Sequence, residues 1–185
     1  MDSAVAAAAS EAAAPPGVGE MNWSRLLRHA LTSNWSIRRR LPAAALKAVE
    51  EEITAGEQRH GGELRVVIET RLDAPAIWNG QTPRERALEV FALQRVWDTE
   101  LDNGVLIYVL VADHDVEIVA DRGFNGRVTG TQWEEVCRTM EKGFRAGQYR
   151  EALLAGVRAA SERIAHHFPP GAVPRNELPD APTVL

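Results

Sequence analysis

Asn103-Gly104-Val105-Leu106-Ile107-Tyr108-Val109-Leu110-Val111 is the stretch on which the fold turns. An Asn-Gly pair launches an uninterrupted apolar run of strand length and strand composition. A run without polar alternation is covered on both faces, so it is a central strand with helices above and below its sheet. Downstream, the turn Asp113-His114-Asp115 leads into Val116, Ile118 and Ala120 alternating with Glu117 and Asp121, the pattern of an antiparallel hairpin partner. Upstream, Gly61-Gly62 breaks the chain. Leu64, Val66 and Ile68 then alternate with Glu63, Arg65, Val67 and Glu69, which predicts a half-buried strand ending near Thr70.

Helical patterns fill the gaps. Pro42 suits a first helical position, and Leu46, Val49 and Ile53 follow at helical spacing until the pattern fades near Gly56 or His60. Thr82-Pro83-Arg84-Glu85 is a capping box that opens a second helix running towards Trp97, after a loop with Asp73, Pro75 and Asn79-Gly80. Thr131-Gln132-Trp133-Glu134 reads as another box before Val136, Cys137, Met140 and Phe144, and Gly147 is placed to end that helix. A last helix is expected from Tyr149 to Phe168. The helical crossover makes the first two strands parallel. The fold class is therefore α/β, an α/β/α sandwich on a small mixed sheet of three strands, with a fourth left open.

Composition bounds the rest. The chain has 185 residues, 45% hydrophobic and 25% charged, which suits one ordinary domain and excludes a fibrous or wholly disordered chain. The single cysteine, Cys137, forbids an internal disulfide and a cysteine-based zinc site. No apolar stretch is long enough to span a bilayer. Residues 1–20 carry three acids, many alanines and no base, and read as a disordered leader, with Met21 as an alternative start. Residues 21–41 form a basic amphipathic arm, since residues 21–49 carry six bases and no acid in a chain of net charge -5. Residues 42–168 make the folded domain. Residues 169–185 hold half of the ten prolines and are expected to be a disordered tail.

Arg95-Val96-Trp97-Asp98-Thr99, Asn103-Gly104-Val105-Leu106-Ile107-Tyr108-Val109, Val116-Glu117-Ile118-Val119-Ala120-Asp121-Arg122-Gly123 and Phe144-Arg145-Ala146-Gly147-Gln148-Tyr149 together resemble the TPM domain family. The motif residues are Thr99, Asn103, Gly104, Asp121, Arg122 and Gly123. The resemblance implies an α/β sandwich, and it implies phosphatase activity and calcium binding for some members. It also brings expectations that this sequence does not meet: a signal peptide, a transmembrane segment, a Gly-rich tail and an opening motif before the first helix. Periplasmic placement therefore does not carry over, and the expectation is a cytoplasmic protein, peripheral at the inner membrane.

Two sheet edges collect polar residues. Thr99, Asp102 and Asn103 precede the central strand, and Asp121 and Arg122 follow its hairpin partner; Asp102, Asn103 and Asp121 are candidate oxygen ligands for calcium or magnesium. The opposite edge gathers Asp73 with the turn Asp113-His114-Asp115, which offers only three ligands for zinc or a proton shuttle and reads as a solvated turn. An EF-hand fails, because in Asp98-Thr99-Glu100-Leu101-Asp102-Asn103-Gly104 the glycine falls one position late and Val109 replaces the bidentate glutamate. His166-His167 suit a helix C-terminus, and Cys137 an inert core position. No catalytic residue is assigned. In the arm, Trp23, Leu26, Leu27, Ala30 and Leu31 fall at helical spacing. Trp23, Arg25, Arg28, Trp35, Arg38, Arg39 and Arg40 are its candidates for contact with a membrane surface or a membrane-protein partner. Nucleic acid is not expected, since the remainder is acidic. Two functions follow as expectations: a non-catalytic accessory module near the membrane, or a phosphatase-like hydrolase dependent on a divalent cation.

Overall fold

In a computed structural model the chain is described over residues 22–171 and 176–185, so the leader of residues 1–20, the alternative start Met21 and residues 172–175 lie outside the described residues. The elements run α1 (Trp23–Leu31), α2 (Asn34–Arg40), α3 (Ala43–Glu57), β1 (Glu63–Glu69), α4 (Ala74–Trp78), α5 (Pro83–Leu93), β2 (Gly104–Leu110), β3 (Asp115–Ala120), α6 (Gly130–Arg145), α7 (Tyr149–His167) and β4 (Thr183–Val184). The sheet order is β3-β2-β1-β4, with β1 parallel to both β2 and β4 and β3 antiparallel to β2. The central apolar run sits where its composition demands. Val105, Ile107 and Val109 enter a core with α2, α3, α6 and α7, while Leu106, Tyr108 and Leu110 enter a second core with α4 and α5.

Glycine at Gly104 is required by packing, because a side chain there would collide with the backbone carbonyl of Val96. Gly123 is confined in the same way by the carbonyls of Leu101 and Asp102, so both motif glycines mark close backbone approaches.

The structure changes five local expectations. The strand expected to be half-wet, β1, is buried along its whole length. Its ions are matched one by one: Glu69 accepts from Arg86 Nε at 2.9 Å and Tyr108 Oη at 2.7 Å. The helix α5 stops at Leu93 and not at Trp97, since Arg95 turns to a left-handed φ of 55° and Val96 N–H bonds back to Phe91. That turn buries Val96 and leaves Trp97 half-exposed. The capping box of α6 is Thr129 with Gln132, two residues before the Thr131 expected for it. Asp73 and Pro75, expected in a loop, open the short helix α4, where the Asp73 side chain accepts from Ala76 N–H at 2.9 Å.

The tail, too, departs from expectation. Residues 176–185 are not a free Pro-rich end: Thr183 and Val184 pair with Val67 and Ile68 as β4, and Leu178 is 5% exposed in the second core. Proline removes N–H donors but leaves carbonyls, and an edge strand needs only one of its two sides. No helix of the described residues is long and apolar enough to cross a membrane.

Candidate functional site

The first polar edge assembles as the sequence implies. Asn103 is 2% exposed; its backbone N–H donates to Thr99 Oγ1 at 3.0 Å and its Nδ2 donates to the Gly61 carbonyl. Asp121 N–H donates to Gly104 O at 2.9 Å, which sets the end of β3 beside Asn103, and Asp121 Oδ1 accepts from Arg122 N–H at 2.7 Å. This leaves Asn103 Oδ1 and Asp121 Oδ2 buried with no hydrogen-bond partner. Asp102 is spent differently. It forms an ion pair with Arg122 at 2.7 Å, whose hydrogen bond holds the Asp102 carboxyl below its ordinary pKa. Among the described residues no group of three His, Cys, Asp or Glu side chains is arranged to hold a metal ion.

Behind this edge lies a cleft of ≈ 500 Å³, lined by Glu57, His60, Glu63, Asn103, Leu101 and Phe168 among others. Burial pushes the Glu57 carboxyl up to about 8, aided by the charges of Glu63 and Asp180 against a hydrogen bond from Leu64 N–H. Burial likewise raises Glu63 and drives His60 down to about 4. The His60 Nδ1 lies 3.0 Å from Gly62 O, a contact only its protonated nitrogen can make, so the neutral ring carries its proton there. Sequence reading missed Glu57 and His60 and assigned Glu63 to solvent. Only alternation marked Glu63, and alternation cannot tell water from a covering segment. Cys137 is buried, and burial raises its thiol to about 12, as suits an inert core position.

At the opposite edge, Asp113 is the anchor of the N-terminal arm. Arg25 Nη2 lies 2.9 Å and Arg28 Nη2 2.5 Å from its carboxylate, and His29 Nε2 3.0 Å. His29 is 1% exposed and its Nδ1 accepts from Leu72 N–H at 3.0 Å, which leaves Nε2 to carry the proton towards Asp113. Burial opposes the Asp113 charge, but His29, Arg25 and Arg28 outweigh it and hold the carboxyl well below its ordinary range. His114, expected in the same turn, takes a left-handed φ of 52° that closes it. Asp115 keeps a proton up to about 6 through burial and the neighbouring Glu117, Glu141 and Asp113.

The seven arm candidates therefore divide. Arg25 and Arg28 face inward onto Asp113, and Arg40 donates to Tyr149 Oη at 2.6 Å while stacking on its ring. Trp23, Trp35, Arg38 and Arg39 face solvent, with Arg39 5.6 Å from the Trp35 ring centroid. With Leu27 and Leu31 exposed too, α1 docks through Arg25, Arg28, His29 and the half-buried Leu26, which packs on the second core, and leaves Trp23, Leu27 and Leu31 bare. The sequence signal was the absence of acids in residues 21–49, which forces their bases to find partners elsewhere or none.

The sequence model of the family described as TPM domain matches residues 39–163. The chain is similar in structure to the BA42 protein of the psychrophilic bacterium Bizionia argentinensis, at 30% identity and a TM-score of 0.66, covering 78% of this chain and 95% of that one. It is also similar to the N-terminal domain of a P. gingivalis protein, at 19% identity and a TM-score of 0.56 over 69% of this chain and 78% of that one, a likeness of fold alone. No curated protein matches the chain.

Proposed function

This chain belongs to the TPM domain family, and from that premise we propose that it is a non-catalytic interaction module that attaches to an anionic membrane surface through α1 and α2. One observation carries the reading: α1 is docked through its charges and Leu26, and exposes the stripe Trp23, Leu27 and Leu31. Trp23 is 66%, Leu27 60%, Leu31 74% and Trp35 70% exposed, and Trp78 on the adjoining α4 is 70% exposed. A helix that evolved only to cover the domain would turn these residues inward. Tryptophan at the rim of an apolar patch suits the headgroup region of a bilayer, and Arg38 and Arg39 next to it supply attraction to anionic lipid. Three of the arm's arginines are engaged with the domain, so apolar insertion outweighs charge in this attachment.

Co-sedimentation with vesicles tests it. The protein binds vesicles containing anionic lipid, and the Trp23→Ser, Leu27→Ser double variant loses binding at least tenfold, since each buried large apolar side chain contributes about 1.5–3 kcal/mol. Arg38→Glu with Arg39→Glu removes the salt-sensitive part, about 1 kcal/mol per charge. Equal sedimentation of wild type and the Trp23/Leu27 variant sinks the reading.

A second reading, a cation-dependent hydrolase of phosphate esters, is favoured by the two orphaned oxygens, Asn103 Oδ1 and Asp121 Oδ2. Hard cations take such oxygens. Asp102, tied to Arg122, is not free to join them. Calorimetric titration with calcium and magnesium decides: heat that vanishes in Asp121→Asn supports it, and no heat in the wild type removes it.

A further inference from the structure

The outer edge of β1 carries two buried ions that bind the main chain of residues 176–185, one of them, Arg65, also held by Gln94 Oε1 at 3.0 Å. Glu63, 3% exposed, accepts from Glu177 N–H at 3.1 Å and Leu178 N–H at 3.0 Å. Arg65, 6% exposed, donates to the carbonyls of Pro179 at 2.6 Å and Ala181 at 2.8 Å, and to Thr183 Oγ1. Further along, Leu185 N–H bonds to Ile68 O at 2.9 Å and Leu185 O accepts from Thr70 N–H at 3.2 Å. Charged side chains that read backbone groups, followed by strand pairing, are the elements of extended-peptide recognition at a sheet edge.

The segment itself has the character of a ligand. Of its side chains Leu178 alone is buried, and Val184 and Leu185 are each 42% exposed. It lies outside residues 39–163, which the family's sequence model matches. Segments with little apolar burial open locally well below the free energy of global unfolding.

We propose that the outer edge of β1 is a peptide-binding groove, with Glu63, Arg65 and the Leu178 pocket as its recognition elements, whose resident ligand is the displaceable segment 176–185. The occupant it takes in exchange is the same segment of a second copy of this chain, which reproduces every contact. This reading stands apart from the membrane reading, because it uses neither α1 nor α2. Displacement also opens one wall of the cleft, where Glu177 holds Glu100 N–H at 3.1 Å.

The test uses a labelled synthetic peptide of residues 176–185 and the full chain. In wild type the tethered segment competes, so the peptide binds weakly. In full-chain Leu178→Asp the resident segment is expelled and the groove kept, so the peptide binds at least tenfold more tightly, and a Leu178→Asp peptide does not bind. A folded Leu178→Asp chain that fails to bind the peptide overturns the proposal. If that variant does not fold, hydrogen exchange on the wild type decides. Amides of Thr70, Leu178 and Leu185 exchanging well ahead of the β1–β2 ladder support the displaceable segment, and exchange in step with that ladder overturns it.

Discussion

Asp113 holds three basic side chains of α1 from a turn that, by residue type alone, is a solvated loop. Its side chain is 8% exposed and that of Arg25 14%. Removing one partner of so enclosed a pair strands the other's charge, which costs about 3–5 kcal/mol. Asp113→Ala therefore undocks α1: its amides lose protection in hydrogen exchange while those of β1 and β2 keep theirs. Unchanged protection at Leu26 and His29 would show that the carboxylate is not the anchor. At Cys137 burial governs chemistry as well as packing, and a thiol raised to about 12 has little thiolate at pH 8. A disulfide reagent at that pH reacts with the native protein only as fast as it unfolds.

At the scale of elements, caps decide where helices begin. In α6 the Thr129 hydroxyl accepts from Gln132 N–H, and the Gln132 side chain accepts from Thr129 N–H at 2.8 Å. Thr129→Ala should lower stability by about 1 kcal/mol, and Thr131→Ala by less than about 0.5 kcal/mol, measured by urea denaturation. Equal losses would restore the box expected at Thr131. The sequence misled here because two threonines lie two apart, each followed at the third position by Gln or Glu. The helix begins at the first, and Trp133, Val136, Cys137, Met140 and Phe144 lie on its buried face. The same limit applies to β1. Its alternation was legible, but the covering of its ionic face depended on α5 and on a tail more than a hundred residues away in sequence.

For the molecule as a whole, buried ionisable groups set the response to pH. The raised pKa of Glu57 means the folded state holds a proton that the unfolded state releases near 4.5. Its stabilising contribution is complete below 4.5 and is lost as pH rises through about 8. Thermal melting of wild type against Glu57→Gln reads this directly. The variant gains on the wild type between pH 5 and 8, by at most about 1.4 kcal/mol per pH unit, and the difference then levels. His60 acts at the other end. Its pKa is depressed to about 4, so its contribution is present above 6.5 and is lost as pH falls through 4. A constant difference between wild type and Glu57→Gln across pH 5 to 8 would place the titrating proton elsewhere.

Periodicity and turn chemistry alone determined the α/β class, the central strand with its hairpin partner, the crossover that makes β1 and β2 parallel, and the edge that joins Asn103 to Asp121. These follow from contacts near in sequence or from a strand apolar on both sides, so residue order is enough to reveal them. The tertiary structure decided which charges face inward. It turned Arg25 and Arg28 onto Asp113, set Glu63 and Arg65 against the main chain of residues 176–185, and brought Glu57, His60 and Glu63 into one cleft. An ion's partner is fixed by proximity in space across many residues, and local pattern records only that the ion is there.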